Sequence, residues 1–216
     1  MTPRSILVVT DFSELGGHAL ARAALLGAEH RAALQLVYLS APGEVPPPDV
    51  AVRLSHHALQ LRQRHQIAVQ AVSRVDCTVA DIARAAATHD LVVWGTAPQR
   101  GLRAWWGTHP ALQLLRACQR PIVVVRNAAD QTYQSLLVAV DLSQASHRLM
   151  ELGLAHHPRA RVELFHAIST ANEGKLRYAE VSERAIQIYR EQCRRHAQDR
   201  VFTLTDSYDA RRNRMS

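Results

Sequence analysis

The sequence predicts an α/β protein with a doubly wound, mostly parallel sheet, and three observations carry that expectation. Apolar runs of strand length alternate with alanine- and leucine-rich helical segments. Two of the runs, at Ile6–Thr10 and Leu136–Val140, end in an Asp and then a small hydroxylated residue, as a buried parallel strand handing over to a helix does. Two stretches 130 positions apart are nearly the same, SILVVTDFS at Ser5–Ser13 and SLLVAVDLS at Ser135–Ser143. A second echo, LVYLSA at Leu36–Ala41 against LFHAIS at Leu164–Ser169, is offset by 128, so a two-residue deletion separates the echoes. The chain reads as a duplication whose second copy is incomplete.

Each element follows from its pattern. After the strand Ile6–Thr10, Leu15–His30 is rich in alanine and leucine and reads as a helix covering the sheet. Leu34–Leu39 is a second strand. A proline-bearing connection, Pro42 and Pro46–Pro48, leads into Asp49–His65, where Val50, Leu54, His57/Ala58, Leu61 and His65 recur at helical spacing. Ile67–Val75 alternates as a third strand, and Thr78 with Asp81 forms a capping box ahead of the helix Val79–Thr88. Leu91–Trp94 is a fourth strand, Gly95 opens a loop, and Thr108 is an N-cap, with Pro110 tolerated in the first turn, for a helix through Cys118. Pro121 precedes the last strand of the first copy, Ile122–Arg126.

The order gives 1–128 as a complete domain, 129–134 as a linker, 135–206 as a partial second domain of three strands and two helices, and 207–216 as a frayed tail. The third strand of the partial domain is expected at Val201–Leu204. In its long amphipathic segment, Tyr178, Val181, Ala185, Ile188 and Gln192 form one apolar stripe.

Composition narrows the class. At 216 residues and 47% apolar, the chain has material for a packed core. No apolar run approaches the ~20 residues of a bilayer span, and MTPRSILVVTDF enters a strand with no signal-peptide core, so no membrane partner and a cytoplasmic location are expected. Cys77, Cys118 and Cys193 are odd in number and widely spaced, and read as buried thiols. The formal charge is +7, carried almost wholly by arginine, Lys175 being the only lysine. Those arginines are scattered and aromatic residues are only 5%, so the surplus reads as compositional bias and nucleic acid is not an expected partner.

In a doubly wound sheet, ligands sit beyond the carboxyl ends of the strands where the winding reverses. Those ends carry Thr10-Asp11, Leu39 and Gly95.

At these residues the chain resembles a known family. ILVVTDFSE, LVYLSA, DLVVWGT, GLRAWWGT and RPIVVVR match, in order and spacing, the universal stress protein domain, and the match covers residues 1–128. With the repeat, the chain is similar to tandem members. The resemblance implies a flavodoxin-like sheet of order 3-2-1-4-5, pairing of two copies through the last strand, no catalysis, and in one subgroup ATP, with magnesium, held by a G-x2-G-x9-G-[ST] loop. Carried over residue by residue, Asp11 matches the aspartate near ribose and adenine, and Leu39 the residue whose backbone meets adenine. Gly95 matches the first loop glycine, and Gly107-Thr108 the closing pair.

The loop departs from that pattern. Pro98 stands at the second glycine, and the interval to Gly107 is one residue short, although Gly101 lies between. Proline removes an N–H where a phosphate must meet backbone donors. The helix start at Thr108 still favours an anion, with Arg100 and Arg103 close in sequence. ATP binding at Thr10, Asp11, Leu39, Gly95, Gly101, Gly107 and Thr108 and membership of the nonbinding branch both stay open.

The same residues have structural readings. Asp11 and Asp141 can each cap the helix that follows. Trp94, Trp105 and Trp106 read as core or interface fillers rather than base-stacking platforms. His56-His57 and His156-His157 read as surface pairs, and His166 as a satisfied core histidine. No metal site, G-x-S-x-G nucleophile, Walker lysine or catalytic carboxylate pair is present. The expectation is a non-catalytic stress-response protein acting through dimerisation and nucleotide. The alternatives are a ligand-free interaction module and an adenine-nucleotide-handling enzyme. Two apolar edges, Ile122–Val125 and Leu136–Val140, predict a homodimer.

Overall fold

The computed structural model describes residues 2–40, 45–72, 78–95 and 110–212. Chain contacts divide the protein into two units, Thr2–Thr132 and Tyr133–Ser216.

The first unit is built on β1 (Ser5–Thr10), β2 (Ala33–Tyr38), β3 (Val69–Ala71), β4 (Leu91–Gly95) and β5 (Ile122–Val125). All pairings are parallel and the order is β3-β2-β1-β4-β5, as expected. Its described helices are α1 (Glu14–His30), α2 (Val50–His65), α3 (Val79–Ala86) and α4 (Pro110–Ala117). The central strand shows why an unbroken apolar run was needed. Ile6 and Val8 enter one core with Leu20, Leu34, Leu36 and Leu54, while Leu7 and Val9 enter the other with Val37, Ile82, Val92, Trp94 and Leu114. Ile6, Leu7, Val8 and Val9 have no exposed surface. Each such side chain contributes roughly 1.5–3 kcal/mol, so β1 is the strand both layers depend on.

The helix signals act as their chemistry requires. Ser13 caps α1, its Oγ accepting from the Gly16 N–H. Thr78 and Asp81 form the expected reciprocal box at the start of α3. The strand expected over Ile67–Val75 pairs with β2 only over Val69–Ala71, and 73–77 lies outside the described residues. Cys118 and Cys193 are half-buried rather than buried, and Cys77 lies outside the described residues.

The second unit contains β6 (Ser135–Ala139), α5 (Gln144–His156), β7 (Arg161–Phe165), α6 (Glu173–Tyr178) and α7 (Glu183–Arg212). β6 and β7 pair in parallel as a two-stranded sheet. Val201–Leu204 is not a strand, and 207–212 is not a frayed tail; both belong to α7, a 30-residue helix. Val201, Phe202 and Thr203 favour a strand by residue type, but propensity yields to packing. Val201, Leu204 and Tyr208 lie at helical spacing and pack with Val138, Val140, Leu142 and Met150. The Tyr208 hydroxyl donates to the His147 carbonyl at 2.7 Å, and Arg200 donates to the Leu142 carbonyl.

The amphipathic stripe was also misplaced. Helix α6 ends at Tyr178, Glu180 adopts a left-handed φ of 53°, and α7 restarts in a new phase. Its buried positions are Ile186, Ala197, Leu204 and Tyr208, while Tyr178 is 94% exposed. His156 and His157, expected at the surface, are buried, because they close α5 where the Tyr133 ring meets His157 edge-on at 4.7 Å. His166 is satisfied, Nδ1 meeting the Val140 carbonyl at 2.8 Å.

The helical assignment of 201–204 is directly testable. On a helix Leu204 faces in and Phe202 out; on a strand both would share one face. Leu204→Ala should therefore cost about 2–4 kcal/mol in chemical denaturation of the second unit, and Phe202→Ala, at a 65% exposed position, close to nothing.

Candidate functional site

The carboxyl ends of β1, β2 and β4 meet at one edge of the first sheet. There the β1–α1 turn is held by a chain of short bonds. The Phe12 N–H donates to Thr10 Oγ1 at 3.1 Å, and the Ser13 N–H donates to Asp11 Oδ1 at 2.9 Å. The Ser13 hydroxyl donates to the same carboxylate oxygen. Thr10 is fully buried, Asp11 is exposed, and the Leu39 N–H donates to the Thr10 carbonyl at 3.0 Å. These bonds bring Thr10, Asp11 and Leu39 together. Gly101, Gly107, Thr108 and Pro98 lie outside the described residues, as do Trp105, Trp106, Arg100 and Arg103.

Two glycines set how closely α1 approaches this edge. A Cβ on Gly95 would lie 1.8 Å from the Leu15 carbonyl oxygen, so the start of α1 rests on the backbone of β4. A Cβ on Gly16 would lie 2.6 Å from Thr10 Oγ1 and 2.7 Å from Asp11 Oδ1. Gly95, read from the sequence as a loop glycine, thus has a packing role of its own. Trp94 is 6% exposed and belongs to the core beside Leu7 and Leu114, so it is no platform for a base.

Phe12, between Asp11 and Ser13, has φ 60°, a left-handed conformation that costs a bulky residue on the order of 1 kcal/mol. Packing offsets that cost. Its ring stacks on Tyr38 at 5.0 Å and on His57 at 5.8 Å, with the Arg53 guanidinium 4.0 Å from its centroid. Burial, with His56 and Arg53 beside it, lowers the His57 pKa below the ordinary 6.5. Sequence reasoning missed this cluster, although Arg53 and His57 at i and i+4 on α2 were its signal. A cleft of about 240 Å³ lies on the same side between α1 and α2, lined by Leu20, Leu25, His57, Leu61, Arg64 and Asp130.

The second unit repeats the turn and uses it differently. Leu142 also has φ 60°, Ser143 caps α5, and the Ser143 N–H donates to Asp141 Oδ1 at 2.9 Å. Ser146, at the position of Gly16, is fully buried and donates its hydroxyl to Asp141 Oδ1 at 2.9 Å. Hydrogen bonds from Ser143 and Ser146 hold the Asp141 carboxyl down at about 2. In the first unit the glycine makes no such claim on Asp11. The two aspartates, equivalent in sequence, are both exposed and each accepts two hydrogen bonds on Oδ1, the second donor being the Ser13 hydroxyl for Asp11 and the Ser146 hydroxyl for Asp141.

Among the described residues no group of three or more His, Cys, Asp or Glu side chains is arranged to hold a metal, and no helix is long and apolar enough to cross a membrane. Elsewhere, Asp90 accepts from the Arg4 and Ser5 N–H groups and the Ser5 hydroxyl, tying β1 to β4 at the amino edge.

A five-stranded, all-parallel sheet of order β3-β2-β1-β4-β5 covered by helices defines the flavodoxin-like class of α/β domains. The profile of the Universal stress protein family matches residues 3–126, more than half of the chain, and the protein belongs to that family. No curated protein sequence matches it. Among solved structures it is similar to a universal stress protein from Archaeoglobus fulgidus DSM 4304, 13% identical, over 83% of this chain and 71% of that one, with a TM-score of 0.66. It is also similar to a functionally unknown protein from Pseudomonas aeruginosa PAO1, 23% identical, over 92% of this chain and 70% of that one, with a TM-score of 0.60. A universal stress protein solved in complex with cAMP, 16% identical, covers 59% of this chain and 100% of its own at a TM-score of 0.50. At these identities the likeness is one of fold.

Two outcomes check the site's construction. Gly95→Ala should destabilise the first unit by about 3 kcal/mol in urea denaturation, because backbone rather than a movable side chain occupies the space. Asp141, ordinarily near 3.8, should titrate near 2 by carboxyl NMR. Its contribution to stability is complete above the ordinary value and is lost as pH falls through about 2, since protonation removes the acceptor.

Proposed function

We propose that the protein is a non-catalytic stress-response protein that holds an adenine nucleotide at the carboxyl edge of the first sheet and works as a dimer. The observation that carries the reading is the open Asp11 turn. Asp11 is exposed and its described hydrogen bonds, both from Ser13, fall on Oδ1, whereas Ser146 claims the equivalent carboxylate of the second unit. The Leu39 backbone and Gly95 frame the edge on either side of Thr10-Asp11. The universal stress protein solved with cAMP supports the capacity of this fold for an adenine nucleotide.

In this reading Asp11 hydrogen-bonds the ribose and the Leu39 backbone meets the base. The phosphate role falls by the family pattern to Gly101, Gly107 and Thr108, with magnesium accompanying ATP. Pro98 withholds one donor, so affinity is modest. Binding transmits a state rather than a reaction. Pairing runs through the outer strand β5, whose Val124 is 37% exposed. The second unit is an incomplete second copy of the domain, which its shared left-handed turn and cap support.

Calorimetric titration with magnesium-ATP and with cAMP tests the site. Asp11→Ala and Gly107→Val should each weaken binding at least tenfold, about 1.4 kcal/mol. Thr10→Val with Gly16→Ser, which transplants the second unit's turn into a position where a Cβ already crowds residues 10 and 11, should do the same, with circular dichroism as the check on folding. Pro98→Gly should tighten binding. No heat with either nucleotide would leave the chain a ligand-free interaction module, and product formed on long incubation would make it an enzyme.

A further inference from the structure

The two units differ most in what covers their central strands. Leu7 of β1 is fully buried, whereas its repeat equivalent Leu137 of β6 is 62% exposed. Val37 of β2 is 3% exposed and its equivalent Phe165 of β7 is 53% exposed. Along β1 and β6 the ladders keep one phase. The Ala33 N–H donates to the Arg4 carbonyl and the Arg161 N–H to the Gln134 carbonyl, each at 2.9 Å, and the Val140 N–H donates to the Phe165 carbonyl at 2.8 Å. In a parallel ladder of that phase, Gln134, Leu136, Val138 and Val140 turn their backbone groups toward β7, so those of Ser135, Leu137 and Ala139 point to the opposite edge. In the first unit β4 satisfies that edge, the Asp90 N–H donating to the Ser5 carbonyl at 3.0 Å. Among the described residues no strand pairs with that edge of β6.

We propose that the open edge of β6 pairs with β6 of a second copy of this chain, antiparallel and centred on Leu137. The pairing joins two two-stranded sheets, each marginal alone, into one of four strands. The strand is self-complementary about its centre: Leu137 meets Leu137 of the second copy, and Ser135 meets Ala139. All three have backbone groups aimed outward, so each pair is hydrogen-bonded across the twofold axis.

Charge selects both edge and direction. SLLVA carries no charged residue, whereas the outer strand β7 displays Arg161 and Glu163, ion-paired at 3.4 Å, of the kind that blunts an edge. Parallel pairing would set Asp141 beside Asp141 of the second copy. Antiparallel pairing moves them roughly 26 Å apart at ~3.3 Å per residue and opposite the uncharged Tyr133–Gln134. Each partner contributes a single strand to the contact, and association is expected at micromolar concentration. It is independent of pairing through β5, and a chain with both edges active is not limited to a dimer.

Sedimentation of the full chain and of Leu137→Lys, Val124→Lys and the double variant, with circular dichroism as a check on folding, separates the two edges. The unmodified chain should grow in mass with concentration, and Leu137→Lys should lose one association step that Val124→Lys retains. The double variant should be monomeric. Amide exchange of Leu137 and Ala139 should slow as concentration rises in the unmodified chain and in Val124→Lys. Sedimentation of Leu137→Lys identical to that of the unmodified chain overturns the proposal while leaving pairing through β5 intact. Protection independent of concentration also overturns it, because the chain then covers its own edge, and so does exchange that stays fast throughout.

Discussion

The close seating of α1 on the sheet is the constraint from which the rest of the first unit follows. The Leu15 carbonyl occupies the space a side chain at residue 95 would need, and a Cβ on Gly16 would meet the Thr10 and Asp11 side chains. A helix this close cannot follow directly from β1; the chain must reverse within Asp11–Ser13. Phe12 accepts a left-handed backbone to make the turn, its ring packs under Arg53, and Asp11 ties the turn to the cap residue Ser13. An exposed carboxylate therefore stands at the carboxyl edge of a fully buried strand. Local strain, helix capping and the candidate site are consequences of one packing decision.

The second unit shows which parts of this arrangement are structural. It keeps the left-handed turn and the serine cap while replacing Gly16 by Ser146 and the Phe12 ring by Leu142. Hydrogen bonds from Ser143 and Ser146 hold the carboxyl of its aspartate down at about 2. Among the described residues its sheet has two strands, and α7 packs on the face of Val138 and Val140. The opposite face, dry in the first unit, keeps Leu137 and Phe165 in water.

The sheet was legible because five apolar runs could be ordered without knowing any contact, and strands buried on both faces leave that signature in any context. The capping box at Thr78 was equally local. What failed was phase. The strand reading of Val201–Leu204 rested on residue types, but the burial of Leu204 and Tyr208 against β6 depends on a helix whose register is set upstream, at the break around Glu180. His156-His157 were misread because nothing in their neighbourhood announces the Tyr133 ring. Within the site, Asp11 was legible as a position but not as a state. Only in three dimensions does Gly16 show as lying against the Thr10 and Asp11 side chains, where the second unit places the Ser146 hydroxyl on Asp141.

The central claim is that a nucleotide meets this chain at the Asp11 turn and not elsewhere. An NMR titration of the isotope-labelled protein with magnesium-ATP tests it most directly, because every amide reports at once. The account predicts saturable shifts at Asp11–Gly16, Leu39 and Gly95, with β6, β7 and α7 unmoved. Saturable shifts confined to the second unit, or none at the Asp11 turn at millimolar nucleotide, would contradict it.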